Sequence, residues 1–390
     1  MSFNEPLPKL NGDWLQHSAT QTVLGLLETS GHAAYLVGGT VRNALMGLPV
    51  TDLDASTDAE PKRVVALAEA RGLRVIPTGI DHGTVTIVVD GEPVEVTTFR
   101  QDVATDGRRA VVAFTTDVRE DARRRDFTMN ALYVDRHGNL LDPLGGFDDV
   151  IARRVRFIED ADRRLQEDYL RALRFFRFNA RYAQSQDLDS DAMNAIARHL
   201  DGFAHISAER IGSELIKILS VTSPSPTIDA MDGIGVLACL LPDAPLRDMP
   251  ALEAAEKHLG LNPDPIRRLA SLGLKDGMTL RLSKPQSKRL AYLQAQITAT
   301  TDPRELAWRE GAEISRDVIA LRAARTGQLP DTREDLEAAQ ASVFPIIAQD
   351  LMPRFKGPAL GAELKRLQSL WIASDFTLTA DELLTKSNGV

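Results

Sequence analysis

Two aspartates one residue apart, Asp52 and Asp54, are the sharpest chemical feature of the chain. On a strand, residues two apart point to the same face. The run PVTDLDAST therefore predicts a strand that projects both carboxylates together and turns Leu53 toward the core. Carboxylates so placed repel unless a cation joins them, and Mg²⁺, held by carboxylates and substrate phosphates, is the natural partner. A two-ion site of this kind activates an attacking oxygen and stabilises a leaving oxygen in phosphoryl transfer. Glu95, on the β-rich run VEVTTF, offers a third carboxylate. Upstream stands Gly38-Gly39. Lacking Cβ atoms, this turn lets a phosphate approach the backbone, and the helix start that follows offers free amides. Each piece alone is equally a tight turn or a surface Asp-x-Asp. Their order (Gly-Gly, helix, strand with Asp-x-Asp) is what points to nucleotide chemistry.

The elements that must hold these groups alternate through the first third. Residues 13–29 read as one amphipathic helix stopped by Gly31, followed by the β-like run AAYLVG and a helix, TVRNALMG. Pro61 opens another helix that Gly72 ends. LRVIP, TVTIVV, VEVTTF and AVVAF are β-rich runs between glycine-containing turns, and ALYVD and NLLDP form a further pair. After Gly146 almost every segment carries helical spacing, as in DYLRALRFFRFNARY, SDAMNAIARHL and AERIGSELIKIL. TSPSPT at 222–227 reads as a linker or a tight turn between helices.

With these residues in place, LVGGTVRNALMGLPVTDLDAST resembles the signature of class II tRNA nucleotidyltransferases and bacterial poly(A) polymerases. The family pattern runs Gly-Gly-x-Val-Arg-Asp, Leu-x-Gly, Asp-x-Asp. The resemblance implies that Gly38, Gly39 and Arg42 bind nucleotide and that Asp52 and Asp54 hold metal; Glu95, read from its neighbouring strand and not from the resemblance, is a further catalytic candidate. Asn43 stands where the family has Asp, which keeps hydrogen-bonding capacity and loses a charge. Further on, RRRDFTMNA at 123–131 is similar to the family's Arg-Arg-Asp-Phe-Thr-x-Asn-Ala motif and implies ribose and triphosphate recognition by Arg125, Asp126 and Asn130. Arginine is a phosphate clamp, and Asp or Asn can bond a 2′-hydroxyl. DPLGG at 142–146 matches the family's head–neck junction and reads as a hinge.

Glu167-Asp168-Tyr169-Leu170-Arg171 is the most informative segment. On a helix Asp168 and Arg171 share a face, and an i,i+3 ion pair is the plain reading. The resemblance to Glu-Asp-x-x-Arg implies a protein template instead. Asp accepts from the exocyclic amine of cytosine or adenine, Arg donates to the ring nitrogen, and uracil and guanine are rejected. Arg174 and Arg177 continue the segment as candidates for phosphate or base-pocket contact. SAERIGSE at 207–214 is similar to the family's fifth motif and reads as an N-capped supporting helix. Thr105-Asp106-Gly107-Arg108 lies where relatives that add a terminal A carry a flexible loop.

The resemblance implies an α+β head similar to the polymerase-β nucleotidyltransferase superfamily, with a mixed sheet and flanking helices, over 1–143. A helical neck with the nucleotide-selecting helix follows over 144–222, and an all-α body and tail that binds tRNA over 223–390. The activity implied is addition of CCA to the tRNA 3′ end from CTP and ATP, with Mg²⁺, releasing pyrophosphate. The partners are the tRNA 3′ end and acceptor stem, with no protein partner. Poly(A) polymerase is second, because the last thirty residues lack a basic tail. CC-only addition is third. A non-catalytic tRNA-binding protein would predict a damaged metal site, and both aspartates are intact.

Charge and composition fit this reading. The net charge is −9, yet residues 153–181 carry nine arginines against five acids, and residues 265–290 carry seven basic side chains against one acid. The latter stretch suits RNA backbone contact. The single cysteine, Cys239, excludes an internal disulfide and a zinc-cysteine cluster. No apolar run spans a membrane and no signal peptide is visible, which predicts a cytoplasmic protein.

Overall fold

In the computed structural model, which describes residues 6–105, 110–184, 188–242, 244, 249–329 and 335–388, the β-branched runs become strands. These are β1 (Ala34–Val37), β2 (Asp54–Thr57), β3 (Arg74–Gly79), β4 (Thr84–Val89), β5 (Glu92–Thr98), β6 (Arg100–Thr105), β7 (Ala110–Phe114), β8 (Tyr133–Val134) and β9 (Leu140–Leu141). Seven of them form one mixed sheet in the order β3-β4-β5-β2-β1-β8-β9. Within it β2 and β5 run parallel and the other neighbours antiparallel. Val23, Leu24 and Leu27 of the Ser18–Thr29 helix are buried against this sheet with Val85, Ile87, Val94 and Val96. β6 and β7 pair as a separate hairpin. The loop expected at Asp106-Gly107-Arg108 lies outside the described residues. Beyond Leu141 the described residues hold helices and turns but no strand. The chain clusters into two units, Met1–Pro242 and Asp243–Val390.

Three local expectations change. Residues 13–29 form two helices, Asp13–Gln16 and Ser18–Thr29, because His17 between them is extended. The strand expected over PVTDLDAST begins only at Asp54, and Asp52 precedes it. Thr40 explains the late start: its hydroxyl donates to the Asp52 carbonyl at 2.8 Å and accepts from the Asp54 N–H at 3.4 Å, replacing ladder bonds. At the DPLGG turn, the Asp142 carboxylate accepts N–H bonds from Leu144, Gly146 and Phe147. A Cβ on Gly146 would sit 2.2 Å from the Thr128 carbonyl oxygen. The second glycine therefore serves close packing, and the turn is clamped where a hinge was expected.

An aromatic cluster seats the Leu170–Tyr182 helix on the head. Phe127 meets Phe178 at 4.9 Å and Phe157 at 5.2 Å between ring centroids, and Phe157 stacks on Phe175 at 5.7 Å. Phe127, Phe157 and Phe175 are buried, each contributing about 1.5–3 kcal/mol by area removed from water. Phe127 directly follows Asp126, so this packing also fixes where the polar groups of the RRRDFTMNA segment stand.

In the second unit, two of the basic residues expected to face RNA are interior. Arg267 is 3% and Arg268 1% exposed. Both bond Glu256, and Arg267 donates to Asp317 at 2.6 Å. Arg289 pairs with Asp264 and Asp317. Lys275, Arg281, Lys284 and Lys288 are exposed. Removing Glu256 would leave two buried guanidinium groups without their shared carboxylate, at a cost of about 3–5 kcal/mol. Glu256→Ala is expected to lower the urea midpoint of the full chain accordingly; an unchanged midpoint would show that the network carries no such burden.

Candidate active site

The β2–β5 pairing places Asp54 in register with Glu95. Asp54 is half-buried at the rim of a cleft, whereas Asp52 and Glu95 are exposed. Burial first, then the charge of Glu95, raises the Asp54 pKa above the usual carboxylate range; Arg125 opposes the shift and Asp52 adds to it. Asp54 thus carries negative charge that its surroundings disfavour. Among the described residues no three carboxylate, histidine or cysteine side chains converge as a metal cage. Two carboxylates beside an arginine-lined cleft still fit Mg²⁺, which is bound by one or two carboxylates together with substrate phosphates.

The cleft has a volume of about 580 Å³ and is lined by Gly38, Gly39, Arg42, Asp54, Arg100, Arg124, Arg125, Asp126, Asn130, Asp168, Leu170, Arg171, Arg174, Phe178 and Arg210. Gly38 adopts φ 69°, and a Cβ there would come within 3.3 Å of Arg125 Nη1. Arg125 is held by Tyr133 Oη (3.1 Å), Ser56 Oγ (3.2 Å) and Asp121 Oδ2 (3.1 Å). Asp121 is fully buried; burial disfavours its charge, but Arg125 and Arg124 prevail and hold its pKa at about 2. Asp121, held ionised at neutral pH, therefore keeps both arginines at the cleft wall.

Asp126 and Asn130 are tied to each other and to flanking arginines. Asn130 Nδ2 donates to Asp126 Oδ1 at 2.9 Å, and Arg174 Nε donates to Asp126 Oδ2 at 2.9 Å. Burial raises the Asp126 pKa, yet Arg174 and these hydrogen bonds bring it to about 2. Arg42 donates to Asn130 Oδ1 at 2.5 Å, to Tyr182 Oη at 2.8 Å and to Asn43 Oδ1 at 2.9 Å. Asn43 Nδ2 in turn donates to the Pro49 carbonyl at 3.0 Å. A carboxylate has no proton for that second bond, so asparagine here supports Arg42 and the loop before Asp52 at once.

Asp168 and Arg171 do not pair with each other, and Asp168 is not on the helix that carries Arg171. It ends the Ala161–Glu167 helix in an extended conformation, and the next helix starts at Leu170. Its Oδ1 accepts from the Leu170 N–H at 3.1 Å and its Oδ2 from Arg210 Nη2 at 2.6 Å. Arg171 Nη1 donates to Glu167 Oε2 at 2.5 Å and to the Arg164 carbonyl at 2.9 Å. Its Nε and Nη2 have no hydrogen-bond partner among the described residues. The two side chains are thus oriented separately and both line the cleft, one offering acceptors and the other donors.

Comparison with known proteins bears directly on this geometry. A family model described as the poly(A) polymerase head domain matches residues 34–156, and one described as a probable RNA- and SrmB-binding site of polymerase A matches residues 187–246. A mitochondrial CCA tRNA nucleotidyltransferase of Mus musculus is 34% identical, with 97% of this chain and 92% of that one covered. The chain belongs to the CCA-adding enzyme family. A second member, the CCA-adding enzyme of Geobacillus stearothermophilus, is 34% identical over 80% of this chain and 79% of its own. The structure of the Bacillus stearothermophilus family member in complex with CTP matches with a TM-score of 0.74 at 27% identity, covering 94% of each chain.

Within the family frame, the cleft gathers most of the residues singled out from sequence. Asp52, Arg177 and Glu95 stand apart: the first two line a smaller adjoining cleft that also reaches Asp54, and Glu95 lines neither. Sequence reasoning missed Arg210, Arg124 and Asp121 as parts of the site. The signal for Arg210 was present in Ser-x-Glu-Arg, and the Ser207 cap on its helix is as expected. Among the described residues no helix is long and apolar enough to cross a membrane.

Proposed function

We propose that the chain adds CCA to the 3′ end of tRNA, taking CTP and ATP and releasing pyrophosphate. The observation that carries this is one cleft holding Asp54, the Arg124–Arg125 clamp and the separately held Asp168 and Arg171. The near full-length likeness to CCA-adding enzymes supports it. In this reading 1–143 is the catalytic head, 144–222 the neck, and 223–390 the body and tail that hold tRNA.

Arg124 and Arg125 face the triphosphate, and Asp126 and Asn130 set the ribose position through their bonds to Arg174 and Arg42. Asp168 accepts from the amine of cytosine or adenine, and Arg171 donates to the ring nitrogen. Asp52 and Asp54 would hold Mg²⁺, with Glu95 adding negative charge beside Asp54. A metal held there would supply Lewis-acid chemistry, lowering the pKa of the RNA 3′-hydroxyl and offsetting charge on the phosphate.

The test supplies tRNAs ending before C74, after C75 and complete with each nucleotide singly, then with CTP and ATP together. Three additions that stop are expected. A long adenylate ladder from ATP alone would mean poly(A) polymerase, CC without A the truncated activity, and no incorporation a binding protein.

A further inference from the structure

We propose that Tyr169 is a positioning residue for base choice: its ring, seated in a slot that Gly202 leaves open, holds the helix break that keeps Asp168 and Arg171 from pairing. This rests on the nucleotidyltransferase reading and adds to it the device that keeps both recognition groups free for a base.

The break lacks the usual local cause. From Ala161 to Tyr182 the chain has neither glycine nor proline and is rich in arginine, leucine and alanine, all good helix formers. A continuous helix would set Asp168 and Arg171 three positions apart on one face, where an aspartate and an arginine pair. Such a pair would turn toward each other the acceptor and the donors that a base must find. Instead Asp168 sits at φ −159° and ψ 105°, and the next helix starts at Leu170. The bond from the Leu170 N–H to Asp168 Oδ1 supports the break but occupies the carboxylate itself. A hold that leaves the carboxylate alone must come from another side chain.

Tyr169 supplies that hold. A Cβ on Gly202 would overlap Cδ1, Cε1 and Cγ of Tyr169, so the ring lies directly on the glycine. Gly202 is buried and its φ is not positive, so glycine is needed there for space rather than for backbone conformation. His199 and His205 flank the ring at 6.2 and 6.0 Å between centroids, and His205 stacks on it at 27°. The slot is thus built by the 3₁₀ turn Leu200–His205 and the residue before it. His199 Nε2 lies 3.0 Å from Asp162 Oδ1, on the helix that Asp168 ends. Further along the same stretch, Arg210 donates to Asp168 Oδ2. Residues 199–210 therefore grip the break at two points, the ring of Tyr169 and the carboxylate of Asp168.

The experiment measures kcat/KM for CTP and for UTP with the full chain and a tRNA ending at C74. Tyr169→Ala removes the ring and Gly202→Ala expels it. Both are expected to lower the CTP-to-UTP ratio about fivefold or more, with the UTP value within about twofold of wild type. The double variant should lose little beyond Tyr169→Ala alone, because the added methyl then meets no ring. Tyr169→Phe keeps the ring and should keep the ratio. Tyr169→Pro is the deciding variant. Tyr169 has φ −60°, the value proline fixes, and Asp168 is extended, as a residue before proline prefers to be. Proline should therefore hold the break by covalent geometry and recover most of the ratio without the ring. A merely structural role for Tyr169 predicts the opposite: Tyr169→Pro as poor as Tyr169→Ala, all nucleotides lowered equally, and a reduced melting temperature. That result, or an unchanged ratio in both Tyr169→Ala and Gly202→Ala, would overturn the proposal. A wild-type chain that adds no nucleotide, or shows no preference for CTP over UTP, would instead sink the functional reading.

Discussion

Asp54→Asn is expected to abolish nucleotide addition and, at neutral pH, to make the metal-free protein more stable. The loss of activity is set at about a thousandfold or more, because a carboxylate that positions the metal contributes several kcal/mol at the transition state. The gain in stability follows from the site's electrostatics. The folded-state pKa of Asp54 is raised, chiefly by burial and then by Glu95. A carboxyl group with a raised folded pKa favours folding while it is protonated. That contribution is full below the unfolded carboxylate value and is lost as pH rises through the folded one. At neutral pH the ionised Asp54 therefore strains the fold, and a neutral amide of the same shape removes the strain. Melting curves in EDTA should show the variant above wild type at pH 7, with the gap narrowing toward acid pH. Added Mg²⁺ should stabilise wild type by mass action more than the variant. A variant that melts lower than wild type at pH 7 in EDTA, or still adds nucleotides at the wild-type rate, would remove Asp54 from this role.

The same residue shows how much of the site was legible in the sequence. The Gly38-Gly39 turn and a strand through Asp54 could be read because turn chemistry and strand periodicity act over a few residues, whereas the placement of Asp52 on that strand was wrong. The late start of β2 could not be read, since it depends on the Thr40 hydroxyl bonding the backbone on both sides of Leu53. Charge counting failed for a related reason. Arg267 and Arg268 look like any basic pair in a linear stretch, and only their partners Glu256 and Asp317, some ten and fifty positions away, make them interior. The helical face drawn through Asp168 and Arg171 failed because the chain breaks its helix at Asp168. The sheet and helical classes survived these errors because they rest on apolar periodicity summed over many residues, which one polar contact cannot overturn.

Arg210→Ala is expected to relax base choice while sparing phosphoryl transfer, and Asp168→Ala to do so more completely. One Asp168 oxygen is fixed by Arg210 at 2.6 Å and the other by the Leu170 amide at 3.1 Å. With both in place, the carboxylate presents its remaining lone pairs in a fixed direction, where, on the proposed reading, the amine of cytosine or adenine donates. Uracil and guanine place a carbonyl there and meet like partial charge. A well-placed base contact of this kind discriminates by about 1–3 kcal/mol, or about five- to 150-fold in relative kcat/KM. Arg210 touches no base in this account and is a positioning residue. Its loss should lower kcat/KM for CTP and ATP while leaving UTP nearly unchanged, so the CTP-to-UTP ratio collapses toward the Asp168→Ala value. Arg210→Lys, which retains a cation near Oδ2, should recover part of the ratio. A purely structural role for Arg210 would lower all nucleotides equally and shift the melting temperature. Arg171→Ala sharpens the contrast, because Arg171 is held by Glu167 rather than Arg210. Combined with Arg210→Ala it should add to the loss of discrimination, whereas Asp168→Ala with Arg210→Ala should lose little beyond Asp168→Ala alone. That pattern of additivity separates two independently held recognition groups from one ion-paired unit.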